Sequence, residues 1–398
     1  MTSHPTLSEA STLLTHGREN KLSKPSTISK SRRIIWSILT VAFVGGLVLF
    51  IRFQDSLAKI HPLFGLPKDP LDAALVILDK APVIDGHIDL PILMREKFAN
   101  NASAIDLTSL MPGHVDIPRL RQGRVGGFFW SVYIGCPRPE EASDDFLTAS
   151  WSVRDTLEQI DIARSLIDKY PETFQFAASS ADIRTAIKNG KIASLLGVEG
   201  AHQVGNSLAV LRQYHTLGIR YMTLTHTCHN AFADSCGYLP GIIPLHHGLS
   251  TFGRTLIKEM NRLGVLVDLS HTSDATAIET LRISKAPVIW SHSSARAVHD
   301  VPRNVPDDVL RMVGVGEGQK DAVVMINFAP FFVAGPGEAN VQTVADHVEH
   351  IAKVAGKMHV GLGSDYDGIN DVPEGLEDVS KYPVLVRLGV CFPCQKLI

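Results

Sequence analysis

From residue 71 onward the chain alternates short, almost uninterrupted apolar runs with amphipathic stretches, and this alternation narrows the fold more than any other feature. The runs are PVIDGHID (82–89), VGGFFWSVYI (125–134), IASLLGVEG (192–200), IRYMTLTH (219–226), LGVLVDLSH (263–271), APVIWSHS (286–293), AVVMINF (322–328) and MHVGLGSDYDG (358–368). Runs of this length without polar alternation suit strands buried on both faces, as in parallel sheets. Between them, Val153, Leu157, Ile160, Ala163, Ile167 and Tyr170 fall at helical spacing, and Val341, Val344, Val348 and Ile351 repeat the stripe. Eight strands alternating with helices over about 300 residues predict an α/β fold, a (β/α)8 TIM-like barrel. A doubly wound open sheet is the alternative, but no Gly-rich phosphate turn follows the first run.

The polar residues gather at the C-terminal ends of these runs: His87 and Asp89, Glu199, His226, His271, His292 and Asp365. In a barrel those ends converge at one mouth, where such enzymes keep their chemistry. Imidazoles and carboxylates without thiolates are a ligand set for zinc or a similar borderline metal with open coordination positions. Side chains alternate along a strand, so His87 and Asp89 share a face and can share one metal. Glu199 is placed to bridge to a second metal completed by His271 and His292, and Asp365 to move a proton. A single strand-end histidine is more often a hydrogen-bonded structural residue, and a strand-end Asp often caps the next helix. Recurrence of the same residue types at six strand ends favours a metal-dependent hydrolase. His202, close to Glu199, and the other histidines have no such placement.

The N-terminal part is different material. Ile34 to Ile51 is an eighteen-residue run without a charge, long enough at ~1.5 Å per residue to span about 27 Å of a ~30 Å hydrocarbon core. Lys30, Arg32 and Arg33 precede it and place that end in the cytosol by the positive-inside rule. The expected organisation is a disordered cytosolic tail (1–33), a transmembrane signal-anchor helix in the lipid bilayer (34–51), a stalk (52–70) and a catalytic domain (71–398). The expected topology is single-pass type II, with the catalytic domain on the extracytosolic side. A cleaved signal peptide and a buried core helix are the competing readings of the run. The overall formal charge of −3 cancels a basic tail (six Lys/Arg against two Asp/Glu in 1–33) against an acidic remainder, and gives no basic footprint for nucleic acid. Outside the cytosol Cys136 and Cys228 are free to pair, and Asn101-Ala102-Ser103 is a glycosylation sequon. Cys391-Phe-Pro-Cys394 has redox spacing but no framing strand–helix unit, and is read as accidental.

The segments DGHIDLP, VGGFFWSVY, GVEGAH, YMTLTHTC, NRLGVLVDLSH, IWSHSSARAV, RNVPDD and GLGSDYDG, in this order over about residues 72–385, resemble the renal or membrane dipeptidase family of zinc metallopeptidases. The resemblance implies a binuclear-zinc barrel that hydrolyses dipeptides to free amino acids by a metal-bridging hydroxide. It implies His87 and Asp89 as ligands of one Zn2+, Glu199 as the bridge, and His271 and His292 as ligands of the other. By the same resemblance His226 steadies the tetrahedral intermediate, Asp365 orients the water and shuttles its proton, Arg303 holds the substrate's C-terminal carboxylate, and Cys136 and Cys228 form a disulfide. Phe331 and Phe332 stand where mammalian members tend to carry tyrosines, and Cys236 has no evident partner. After residues 381–383 the family continues through further helices, so the outer helix layer over the last strand is expected to be incomplete. Two alternatives remain open: another metal-dependent amide or lactam hydrolase on the same barrel, and an inactive form that keeps the fold as a binding module. A homodimer is an open expectation too.

Overall fold

In the computed structural model, residues 34–35, 39–46, 66–137 and 151–391 are described. The chain divides into two units, Met1–Gly65 and Leu66–Ile398. In the first, residues 34–35 and 39–46 are helical and exposed. The tail, the rest of the expected membrane span and most of the stalk lie outside the described residues. Among the described residues no helix is long and apolar enough to cross a membrane.

The second unit is an eight-stranded parallel barrel with one extra strand. The strands are β1 (Val83–Ile88), β2 (Val125–Tyr133), β3 (Phe174–Phe176), β4 (Ile192–Glu199), β5 (Ile219–Thr223), β6 (Leu266–Asp268), β7 (Val288–Trp290), β8 (Ala322–Ile326) and β9 (Val360–Leu362). Each apolar run supplies one strand, and the ring runs from β1 through β9 and back to β4, closing where β2 pairs with β4. The ninth strand, β3, is the part that the apolar runs do not predict, because Phe-Gln-Phe is too short to read as a run. It pairs with the start of β4 (Phe174 with Ile192) while β5 pairs with its end (Leu196 with Ile219), so the two share one edge.

Alternation along the strands sorts their side chains into two layers. Phe128, Trp130, Leu196, Met222, Val288 and Val324 pack with helix residues into the large outer core. Phe129, Leu195, Tyr221 and Ile289 form a separate, smaller cluster, the fill of the barrel itself. Helices wrap the outside. Trp151–Lys169 buries Thr156, Ile160, Ala163 and Ile167. Its core-facing stripe therefore runs through Thr156 instead of Leu157, which is 42% exposed; i, i+4 spacing from Ile160 selects Thr156, which hydrogen-bonds Gln203. Val341–Val354 starts with a capping box between Asn340 and Thr343 and buries Val344, His347 and Ile351.

Cover over β9 is partial. The helix Tyr382–Cys391 packs beside Pro70–Lys80 and Val341–Val354, yet all three β9 residues are only half-buried. An apolar groove of about 360 Å3 remains there, lined by Ile77, Val348, Val360, Leu362, Leu385 and Leu388 among others. The strands' C-terminal ends carry the buried charged and imidazole side chains.

Candidate metal centre

Seven of the expected residues meet at the mouth. His87 lies within β1 and Asp89 just beyond it; Glu199 ends β4; His226, His271, His292 and Asp365 lie two or three residues past the ends of β5, β6, β7 and β9. Asp89 occupies the N-cap position of the helix Leu90–Phe98 but makes no side-chain capping hydrogen bond. Its Oδ2 instead lies 3.2 Å from His87 Nε2, and its Oδ1 is buried without a partner. The helix-cap reading of this carboxylate is thereby excluded.

Glu199 organises the cluster. Its Oε2 lies 3.5 Å from His87 Nε2, while its Oε1 lies 3.0 Å from His271 Nε2, 3.2 Å from His292 Nε2 and 3.7 Å from His226 Nε2. One oxygen faces one histidine and the other faces three. Ligand atoms of three overlapping trios, His87/Asp89/Glu199, His87/His292/Asp365 and Glu199/His226/His271, lie within 4.8 Å of one another. Backbone strain concentrates here as well: His271 and Asp365 take φ of 63° and 67°, left-handed values rare for non-glycine residues and typical of functional sites. Gly368 leaves room for two of the carboxylates, since a Cβ there would sit 2.3 Å from Asp89 Oδ2 and 3.0 Å from Asp365 Oδ1.

Protonation follows from the surroundings. Burial pushes His271 far below the ordinary imidazole range, helped by the Arg303 and His226 charges, and lowers His226 and His292 too. These rings are neutral at pH 7. Burial also works against a charge on His87, yet Tyr221, Asp89 and Glu199 raise it well above its usual value. Against the desolvation that would raise it, Glu199 is held well below the carboxylate range, His87 and His226 leading the effect. Asp365 is likewise lowered despite burial, by His292 and His87, and accepts a hydrogen bond from Asn327 Nδ2 at 2.9 Å.

Hydrogen bonds behind the rings decide which nitrogen faces the centre. Ser291 Oγ donates to Asp268 Oδ2 and so can only accept from His292 Nδ1, 2.8 Å away. His292 therefore carries its proton on Nδ1 and presents a bare Nε2. Asp268 is fixed in turn by Thr223 Oγ1 and by the N–H groups of Ser270 and Ser291. His87 Nδ1 meets the Tyr221 hydroxyl at 2.9 Å, and His271 Nδ1 is buried with no partner. His226 is held differently: Thr227 Oγ1 lies 3.2 Å from its Nδ1, and its Nε2 lies 3.7 Å from Glu199 Oε1, beyond hydrogen-bond distance. The neutral His271 and His292 rings, a split carboxylate and the unpartnered His87 Nε2 and Asp89 Oδ1 are a donor set suited to divalent metal; unneutralised, this much buried carboxylate would be costly. Tyr221, Ser291 and Asp268 are the functional residues that the sequence reading misses. The one available signal was Asp268 and Ser291 themselves, polar groups inside or just after apolar strands.

Arg303 is 3% exposed. Its Nη1 donates to Ser293 Oγ at 2.7 Å, while Nε and Nη2 have no partner. It lies beside the main cavity, not on its wall: a cavity of about 520 Å3 is lined by Asp89, Tyr133, Glu199, His226, His271 and Asp365 among others, and a smaller hollow shares His271 with Ser293 and Arg303. Cys136 and Cys228 form a disulfide. They lie near His202, but bonded cysteines cannot ligate, and burial lowers His202 to about 4 while its Nε2 meets the Ile134 carbonyl; it is structural. Cys236 is buried and unbonded. Asn101 is exposed and starts a single 3-10 turn. Cys394 lies outside the described residues.

The sequence profile of the membrane dipeptidase family, peptidase family M19, matches residues 71–388. A Schizosaccharomyces pombe protein named as an uncharacterized dipeptidase is 46% identical over 325 residues, 79% of this chain and 76% of that protein. Among solved structures, a Rhodobacter sphaeroides metallopeptidase liganded with a phosphinate mimic of the dipeptide L-Ala-D-Ala superposes with a TM-score of 0.67 at 28% identity, covering 76% of this chain and 91% of that one. A dipeptidase AC of family M19 gives 0.68 at 27% identity, covering 78% and 91%. The chain belongs to the membrane dipeptidase family of metallopeptidases and is a hydrolase of the metallo-dipeptidase class.

Proposed function

We propose that this chain hydrolyses dipeptides to free amino acids with two zinc ions, one held by His87 and Asp89 and one by His271 and His292, with Glu199 bridging them. The observation that carries the reading is the division of the Glu199 carboxylate, one oxygen toward each half of the centre. When bound, the metal would polarise the scissile carbonyl and lower the pKa of water toward neutrality. The rest is the work of side chains. Asp365, ionised and steadied by Asn327, takes the proton that the attacking water gives up and passes it to the leaving amine nitrogen as the C–N bond breaks. His226 donates an Nε2–H hydrogen bond to the oxygen on which charge develops, as a neutral group. Arg303, with two nitrogens free of partners, takes the C-terminal carboxylate of the substrate through its planar fork. An anchor so close to the centre restricts turnover to very short peptides.

Location belongs to the same proposal. The charge-free run 34–51 after Lys30, Arg32 and Arg33 supports a membrane anchor with the catalytic domain on the extracytosolic side, and the exposed Asn101 sequon is then a glycosylation site. The test of function is hydrolysis of a dipeptide panel with and without a chelator. Chelator-sensitive release of both amino acids is expected. Turnover of cyclic amides or lactams, with free dipeptides left intact, would favour the other hydrolase.

A further inference from the structure

We propose that Tyr238, Phe331 and Phe332 form the wall of a side-chain subsite that selects dipeptides with an aromatic or large apolar C-terminal residue. The proposal rests on the reading of Arg303 as the carboxylate anchor.

All three rings line the main cavity, from two separate segments: Tyr238 from the loop after β5, and Phe331 and Phe332 from the single helical turn Pro330–Val333 after β8. Tyr238 and Phe331 stack with centroids 5.4 Å apart and planes 8° from parallel, and Tyr238 meets Phe332 edge-on at 5.7 Å. Stacking against each other does not hide them, for Tyr238 stays 53% and Phe331 43% exposed. Adjoining aromatic faces left in water at the mouth of a concave site are covered only when an apolar group enters.

Direction comes from Phe332. This ring is 6% exposed, and the Arg303 guanidinium carbon lies 5.5 Å from its centroid. A line of residues therefore leads from the buried cation through Phe332 to the stacked pair at the surface. A carboxylate held at Arg303 puts the Cα of the C-terminal residue one bond away, and the side chain on that carbon is the substrate group nearest the rings. Elsewhere the cavity carries Ile92 and Ile369 with Glu96 and Asp371, a mixed lining whose carboxylates suit a charged amine, whereas the three rings form its aromatic side.

The test compares kcat/KM for glycyl-phenylalanine and glycyl-glycine in the full-length protein, in Phe331→Leu and in Phe331→Ala combined with Tyr238→Ala. The expected result is a ratio favouring glycyl-phenylalanine that falls about tenfold in the double variant, mainly through KM, and is largely kept in Phe331→Leu, whose side chain is still apolar. A ratio that stays put while both substrates decline together would mean a purely structural role and overturn the proposal. The C-terminal amide of glycyl-phenylalanine separates the two layers of the argument. If wild-type protein rejects the amide, the anchor reading stands and the ratio alone judges the wall. If it accepts amide and acid equally, the anchor reading falls and takes with it the assignment of the wall to the C-terminal residue.

Discussion

The two halves of the centre are built on different supports. His87 and Asp89 come from one strand and its first following residue, and the Tyr221 hydroxyl backs His87 from within the barrel. His271 and His292 come from two loops; His292 is backed by Ser291 and a four-times hydrogen-bonded Asp268, and His271 Nδ1 by nothing. One half inherits its geometry from strand alternation, the other from a buried polar relay. What joins them is Glu199, the residue with an oxygen on each side. Hydrogen bonds behind ligating histidines fix tautomer and orientation, so the halves are expected to fail in different ways.

Removing the join has the largest effect. Glu199→Ala should cut dipeptide hydrolysis by at least about 10³-fold and lower the bound metal in both halves, read by elemental analysis. Loss from one half alone would break the comparison. Asp365→Asn is next: with metal content retained, kcat should fall by about 10² to 10⁴-fold, since its proton transfer is lost and its position is not. Smaller and more selective losses sharpen the contrast. Tyr221→Phe and Ser291→Ala should each weaken one metal equivalent by about 10- to 100-fold, seen as one of two steps in a metal-binding titration; if both variants perturb the same step, the division of supports is wrong.

The smallest effect concerns stability. His347 accepts the N–H of Ala295, in the loop after His292, and pairs with the Val333 carbonyl. Burial lowers it to about 4. The unfolded chain binds this proton near 6.5 and the folded one near 4, so this contribution is complete above pH 6.5 and is lost as pH falls toward 4, by a few kcal/mol. Denaturant unfolding across that range should show the decline, and His347→Gln should flatten it.

The barrel and the centre were legible in the sequence for one physical reason: strands buried on both faces leave long apolar runs, and a charge at the end of such a run needs a purpose. His87, Glu199, His271 and His292 announce themselves in this way. β3 did not, because a three-residue strand borrows its stability from the edge of β4. The face of Trp151–Lys169 was misjudged at Leu157 because periodicity alone does not tell a buried threonine with a hydrogen-bond partner from an exposed one. Tyr221 was illegible because its role lies in a contact between strands, to His87 across 134 residues. Arg303 drew notice only through family resemblance; its two unpartnered nitrogens are a fact of the fold.

The most direct measurement is a titration of metal-stripped full-length protein with zinc while dipeptide hydrolysis is followed. The account predicts no hydrolysis without metal and full activity at two equivalents per chain. Hydrolysis by the metal-free protein, or full activity at a single equivalent, would contradict it.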